Sequence, residues 1–221
     1  MVPLIVAAML FCAPVPSRTR PAAPVSITPN GLTLPIDVVT TSTAPVPSVV
    51  ISHAAEEAAS IWSAAGIAVD WRRADPSTAL GSPNLIVIVD DEIGLLKDDG
   101  WSLGWIGFDP GGLPERTIHL SRSNGMRLIE TAGKYSSLPT RAQEILVGRA
   151  LGRALAHEIG HYLLQTPAHS PVGLMRARRS VDDFFAAARI GMDLTPEQRG
   201  FVAHRWLAAP NLDATCISGA F

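Results

Sequence analysis

Cysteine is nearly absent from this 221-residue chain, which holds two, Cys12 and Cys216. The first falls in a segment expected to be cleaved away or lipidated, so no disulfide framework is expected and the thiols do not fix the compartment. Charge is scarce as well. Charged residues make up 17 % and the net charge is −2, which excludes a general attraction to nucleic acid or to an anionic membrane surface. No repeat of the period a solenoid needs is present. The N-terminal apolar run, Leu4 to Cys12, is too short to span a bilayer. What the chain does have is apolar residues, 47 % of the total, enough for the packed core of one domain.

The ends and the middle divide by composition. Residues 1–13 suit the apolar centre of a secretory signal, although no Lys or Arg precedes the run and no small-x-small cleavage site follows it. Export, as a secreted or periplasmic protein, is the expectation. Phe11 before Cys12 disfavours lipoprotein anchoring. Residues 14–30, rich in Pro and Ala, are expected to form an extended linker. A single domain is expected over 31–221. "LTLPIDVVTT", "IAVDW", "PNLIVIVDD" and "TIHLS" suit strands, the third a buried central one. Val50, Ala54, Ala58, Ile61 and Trp62 recur at helical spacing, and Gly66 ends that early helix. Residues 94–116 read as a glycine-rich loop. The longest helical pattern runs through "LPTRAQEILVGRALGRALAHEIGHYLL", with Thr140 as its cap and Gln143 as the capping-box partner. "SVDDFFAAARI" and "TPEQRGFVAHRWLA" predict two more helices, the second with a strong start at Thr195, Pro196 and Glu197. Strands with one early helix, followed by helices, make an α+β arrangement.

Chemistry concentrates in "HEIGHYLLQTPAHSPVGLM", residues 157–175, which holds three of the six histidines. His157 and His161 are four apart on a helix, so both side chains leave one face. Two imidazoles so placed can share one zinc ion at about 2.0–2.1 Å each. Glu158 stands where a general base would reach a water activated by that metal. Against this stands a plain core helix that happens to carry histidines. A catalytic zinc site needs a third protein ligand. The downstream candidates are His169, Asp182, Asp183, Glu197 and His204, of which His169 is nearest. Met175 is either core filler or part of the floor of such a site.

These residues resemble the metzincin metallopeptidases, and most the matrixin branch. The resemblance implies a zincin-like fold, with a small mixed sheet, an early helix, a long active-site helix and a helical C-terminal part. It implies one catalytic Zn2+ held by His157, His161 and His169, with Glu158 as catalytic base and Met175 as the methionine turn. Ser170 after His169 is also similar to the matrixin run. "LGWIGFDPGG" resembles the family's substrate-binding edge strand, which makes Leu103, Gly104, Trp105 and Ile106 candidate substrate contacts. The pattern departs from the family in one place. The third histidine lies eight residues after the second instead of six, and Leu164 stands where the family has glycine. Two extra residues through Gln165, Thr166 and Pro167 are expected to relax the turn so that it needs no glycine.

The expectation is a zinc-dependent endopeptidase that acts as a monomer on peptide or protein substrates, with no nucleic-acid partner and no membrane span. A non-catalytic zinc-containing peptide-binding module, or a gluzincin-like peptidase with a downstream carboxylate ligand, is the alternative. The acidic residues Asp90, Asp91, Glu92, Asp98 and Asp99 lack the spacing of a defined calcium loop, so calcium is unsupported. His53, His119 and His204 read as ordinary histidines. Gly148 and Gly152 would let a neighbouring element approach the long helix. Arg149 and Arg153 are expected to face water or pair with acids. Tyr162 points to another helical face, and no tyrosine follows Met175, so no phenolic stabiliser of an oxyanion can be named.

Overall fold

The computed structural model describes residues 26–28, 31–40, 45–81, 84–91 and 102–207. The expected signal segment, both cysteines, Glu92, Asp98 and Asp99 lie outside them. Six strands form one mixed sheet among the described residues: β1 (Ser26–Thr28), β2 (Gly31–Thr40), β3 (Ile67–Arg73), β4 (Leu85–Asp90), β5 (Gly104–Phe108) and β6 (Pro114–Ser121). The sheet runs β1-β2-β4-β6-β5, with β3 also on β2. β3 pairs with β2 over Leu32 to Val38, so β1 and β4 share the opposite edge of β2 in succession. β2, β3, β4 and β6 are parallel, whereas β1 and β5 are antiparallel to their neighbours. The continuous apolar run of β4 fits its central place, since a strand covered on both faces needs no polar alternation.

The helices are α1 (Ser48–Ser63), α2 (Pro76–Gly81), α3 (Arg122–Thr131), α4 (Thr140–Leu164), α5 (Val181–Phe185) and α6 (Pro196–Val202), the last running into a π-helical turn, Ala203–Leu207. α4 packs on α1, α3, β5 and β6, and nearly its whole second half is buried. Its closest approach is to α1, at the two glycines singled out above. A Cβ on Gly148 would stand 2.8 Å from the Val50 carbonyl oxygen, and one on Gly152 would stand 2.6 Å from that of Ala54. Two indoles fasten the same helix. Trp62 Nε1 donates to the Ala156 carbonyl at 3.2 Å, and Trp206 Nε1 to that of Leu163 at 2.9 Å. A buried helix this tightly gripped is a rigid base for side chains that must hold a fixed geometry.

Several expectations change. Ser26–Thr28, inside the expected linker, forms β1. The stretch 94–116 is not a loop throughout, because β5 and the start of β6 lie in it. Its glycines are tolerated because they admit close neighbours: a Cβ on Gly104 would meet Leu120 Cδ2 at 2.9 Å. α2 and α3 carry too short a periodic pattern to stand out. Pro139, not Thr140, is the N-cap of α4, and no side chain caps it. Gln143 instead turns back to the carbonyls of Ser136 and Leu138. α5 covers only the first part of its expected helix, ending where Ala186 turns to extended backbone. α6 starts as expected, with Thr195 and Gln198 forming a capping box and proline in the first turn. Among the described residues no helix is long and apolar enough to cross a membrane.

Candidate metal centre

The second half of α4 carries His157 and His161 side by side. Their Nε2 atoms lie 3.1 Å apart. The Nδ1 of each faces a backbone carbonyl, that of His157 the oxygen of Leu174 at 2.9 Å and that of His161 the oxygen of Thr166 at 2.8 Å. A carbonyl only accepts, so each Nδ1 must bear the proton, and in a neutral imidazole that leaves Nε2 a bare lone pair. Two lone pairs at 3.1 Å repel unless a cation lies between them. Protonation does not supply it: burial pushes His157 down to about 4, and it lowers His161 as well. The arrangement calls for a metal. In a tetrahedron of about 2.0–2.1 Å bonds the nitrogens stand about 3.3–3.4 Å apart, close to the spacing found.

His169 joins them from the loop after α4. Its ring centroid is 5.2 Å from that of His157 and 4.9 Å from that of His161. One ligand atom from each of the three lies within 4.8 Å of the others. The triad fits zinc. None of the rival carboxylates joins this cluster. Asp182 pairs with Lys134 and Asp183 with Arg176, while Glu197 sits in the first turn of α6. His204 is exposed beyond that helix.

The turn that brings His169 back needs no glycine, as expected, but it keeps a left-handed residue. The added residues do not remove the left-handed position; they shift it. Leu164 stays helical, and Gln165 takes φ 54°, the only residue other than glycine with positive φ among those described. Its side-chain amide donates to the Tyr162 carbonyl, which holds the strained residue. Thr166 N–H donates to the His161 carbonyl, and Thr166 Oγ1 accepts from Ala168 N–H. The loop is thus tied to the helix on both sides of the turn.

Met175 is fully buried against Gly160, the residue before His161. Ser170 N–H donates to its carbonyl, and Leu174 N–H donates to that of Asp193. Gly173 turns at φ +75°, and a Cβ there would lie 2.6 Å from the Asp193 oxygen. The methionine segment therefore presents the Leu174 carbonyl that orients His157, an outer contact of the sort that tunes a metal ligand. Gly160, inside the histidine motif, is a functional position the sequence reading passed over. A Cβ there would run into Met175 Sδ. Gly160→Ala is expected to destabilise the protein by about 1–3 kcal/mol through overpacking and to weaken zinc binding. Urea unfolding in chelator and a zinc titration measure the two effects.

Glu158 is buried, and burial pushes its pKa up to about 8, against the opposing pull of the Ile106 N–H. Ile106 belongs to β5, which ends the sheet, so the carboxyl meets the edge strand directly. Leu103, Gly104, Trp105 and Ile106 all line the same cavity, of about 300 Å³, as His157, Glu158, His161 and His169. Phe108 completes that wall, edge-on to the His161 ring at 5.9 Å. Arg176, Arg179 and Phe184, which no pattern in the sequence pointed to, line the same cavity. Trp105 stacks on His119 at 5.1 Å.

No protein-family model matches the chain, and no curated protein sequence does. Among solved structures it is similar to an archaemetzincin from Methanopyrus kandleri, at 14% identity and a TM-score of 0.47, over 80% of this chain and 97% of that one. It is also similar to a zinc-dependent peptidase from Methanocorpusculum labreanum, at 14% identity and a TM-score of 0.47, over 76% of this chain and 99% of that one.

Proposed function

We propose that the protein is a zinc-dependent endopeptidase of metzincin type. The observation that carries this reading is the pair of unprotonated Nε2 atoms facing one another at 3.1 Å, with His169 beside them and a buried carboxyl one residue along the helix. His157, His161 and His169 would hold the ion. When bound, zinc supplies Lewis acidity, which acidifies water and polarises a carbonyl.

The chain's own groups do the rest. Glu158 takes a proton from the attacking water and delivers it to the leaving amine. Burial raises its pKa in the metal-free fold, and a bound cation would draw it back towards the carboxylate that accepts the proton. β5 offers the backbone of an edge strand, and an extended peptide can pair with it as an added strand. Such a substrate needs no free terminus, which favours cleavage within chains. The matrixin-like features, Ser170 after His169 and the strand at Leu103 to Ile106, belong to the same proposal, as does export.

Purified protein is expected to retain about one zinc ion after dialysis and to cleave members of a mixed peptide library, with cleavage abolished by chelator and restored by zinc. His169→Ala is expected to lose the metal and the cleavage together. Full zinc retention by that variant would remove His169 from the ligand set. Zinc binding by the wild type without chelator-sensitive cleavage of any peptide would favour a binding module.

A further inference from the structure

The cavity beside the triad is unevenly charged. Arg153, Arg176 and Arg179 line it, with Glu158 as its one acidic residue among those described. Around it, four guanidiniums share two carboxylates: Glu57 takes Arg153 and Arg189, and Asp183 takes Arg176. Arg179 has none. Its Nη2 donates to the carbonyls of Gly173, Leu174 and Gly191, while Nε and Nη1 carry no hydrogen bond among the described residues. The side chain is half-buried, and burial together with Arg176 pushes its pKa down. A half-buried cation with open donors, facing a cavity with apolar walls at Leu103, Ala154 and Phe184, is set to receive an anion.

Arg179 lines the same cavity as His157, Glu158 and His161. A group seated against it therefore lies next to the reacting centre. We infer that Arg179, with Arg176 lining the same cavity, binds a carboxylate of the substrate residue flanking the cleaved bond. That carboxylate is either an Asp or Glu side chain or a free chain terminus. The inference rests on the peptidase reading and names its substrate class. Guanidinium forks match carboxylates in geometry and reject ammonium groups by like charge.

The test uses quenched peptides blocked at both ends and identical but for Glu, Gln or Lys flanking the cleaved bond, plus an uncharged peptide with a free C-terminus one residue beyond it. Wild-type zinc protein is expected to cleave the Glu peptide roughly tenfold or more better than the Gln peptide in kcat/KM, with Lys poorest. The same peptides are titrated by fluorescence anisotropy against zinc-loaded Glu158→Ala protein, which binds without turnover, and the preference should persist. Arg179→Met should bring the Glu-to-Gln ratio near one. If that variant does not fold, Arg179→Lys, which keeps the charge and loses the fork, should lower the ratio. Preference for the free C-terminus alone would assign the carboxylate to the chain end. Equal binding of Glu and Gln peptides, with no gain from the free terminus, overturns the inference whether or not the wild type cleaves anything. A Glu preference in binding without any cleavage would instead remove the peptidase reading and leave the carboxylate site.

Discussion

Glu158→Gln is expected to abolish peptide cleavage while making the metal-free protein more stable at alkaline pH. The first effect follows from the role of the base: removing a positioned proton acceptor costs about 100- to 10,000-fold in rate, with zinc content unchanged because Glu158 is no ligand. The second follows from burial. In the metal-free fold Glu158 is pushed up to about 8 from an ordinary 4.5. Its folded form holds the proton more tightly than the unfolded chain does, so stability is full below pH 4.5 and is lost as pH rises towards 8. Glutamine has no charge to bury and escapes that loss. The two proteins should therefore unfold alike near pH 4.5 and diverge as pH rises, the variant ahead by about 3–5 kcal/mol above pH 8. The titration of His157, lowered to about 4, weakens both proteins alike in acid and cancels in the difference. Saturating zinc should shrink the gap, because a nearby cation favours the carboxylate. Chemical denaturation across pH, with chelator and with zinc, measures both trends. A stability difference that does not change with pH would sink the burial argument.

This trade explains why the site was legible in one part and opaque in another. His157, Glu158 and His161 were readable because helical periodicity alone places them, and the cavity holds all three. His169 stood out among five downstream candidates by nearness and was singled out by the family pattern, since nothing local fixes where a loop returns. The turn then differed in detail, with Gln165 rather than glycine in the left-handed position. The strands β3, β4 and β6 carried their own apolar patterns. β5 did not, because its glycines answer to neighbours distant in sequence: Gly104 to Leu120, and Gly107 to Glu115. Arg179 was invisible for the same reason. Its meaning lies in the carbonyls of Gly173, Leu174 and Gly191 and in the cavity it faces, none of which a one-dimensional pattern encodes.

Arg153 is the case where the sequence expectation covered two outcomes and the structure selects one with large consequences. It pairs with an acid, and it does so deep inside. Its side chain is 1% exposed, and that of its partner, Glu57, is 7% exposed. Nε meets Glu57 at 2.8 Å, and the two terminal nitrogens donate to the carbonyls of Asp183, Ala186 and Ala188. Arg189 reaches the second oxygen of Glu57 at 2.8 Å. One carboxylate on α1 thus neutralises a cation on α4 that in turn fastens the segment 183–188, next to the cavity wall at Phe184. Glu57→Ala leaves a buried guanidinium without its anion, and the expected cost is about 3–5 kcal/mol. Glu57→Gln keeps the shape and one acceptor but not the charge, and should fall between. Arg153→Met in the Glu57→Ala background removes the stranded cation, so it should recover part of the loss. It should not recover all, because three carbonyls then lose their donor. Urea unfolding of the wild type, these three variants and Arg153→Met alone, in chelator to keep zinc out of the balance, measures the set. Additive losses from Glu57→Ala and Arg153→Met would mean that the pair is not coupled and that α1 is held to α4 by its glycine-lined contact and the Trp62 hydrogen bond.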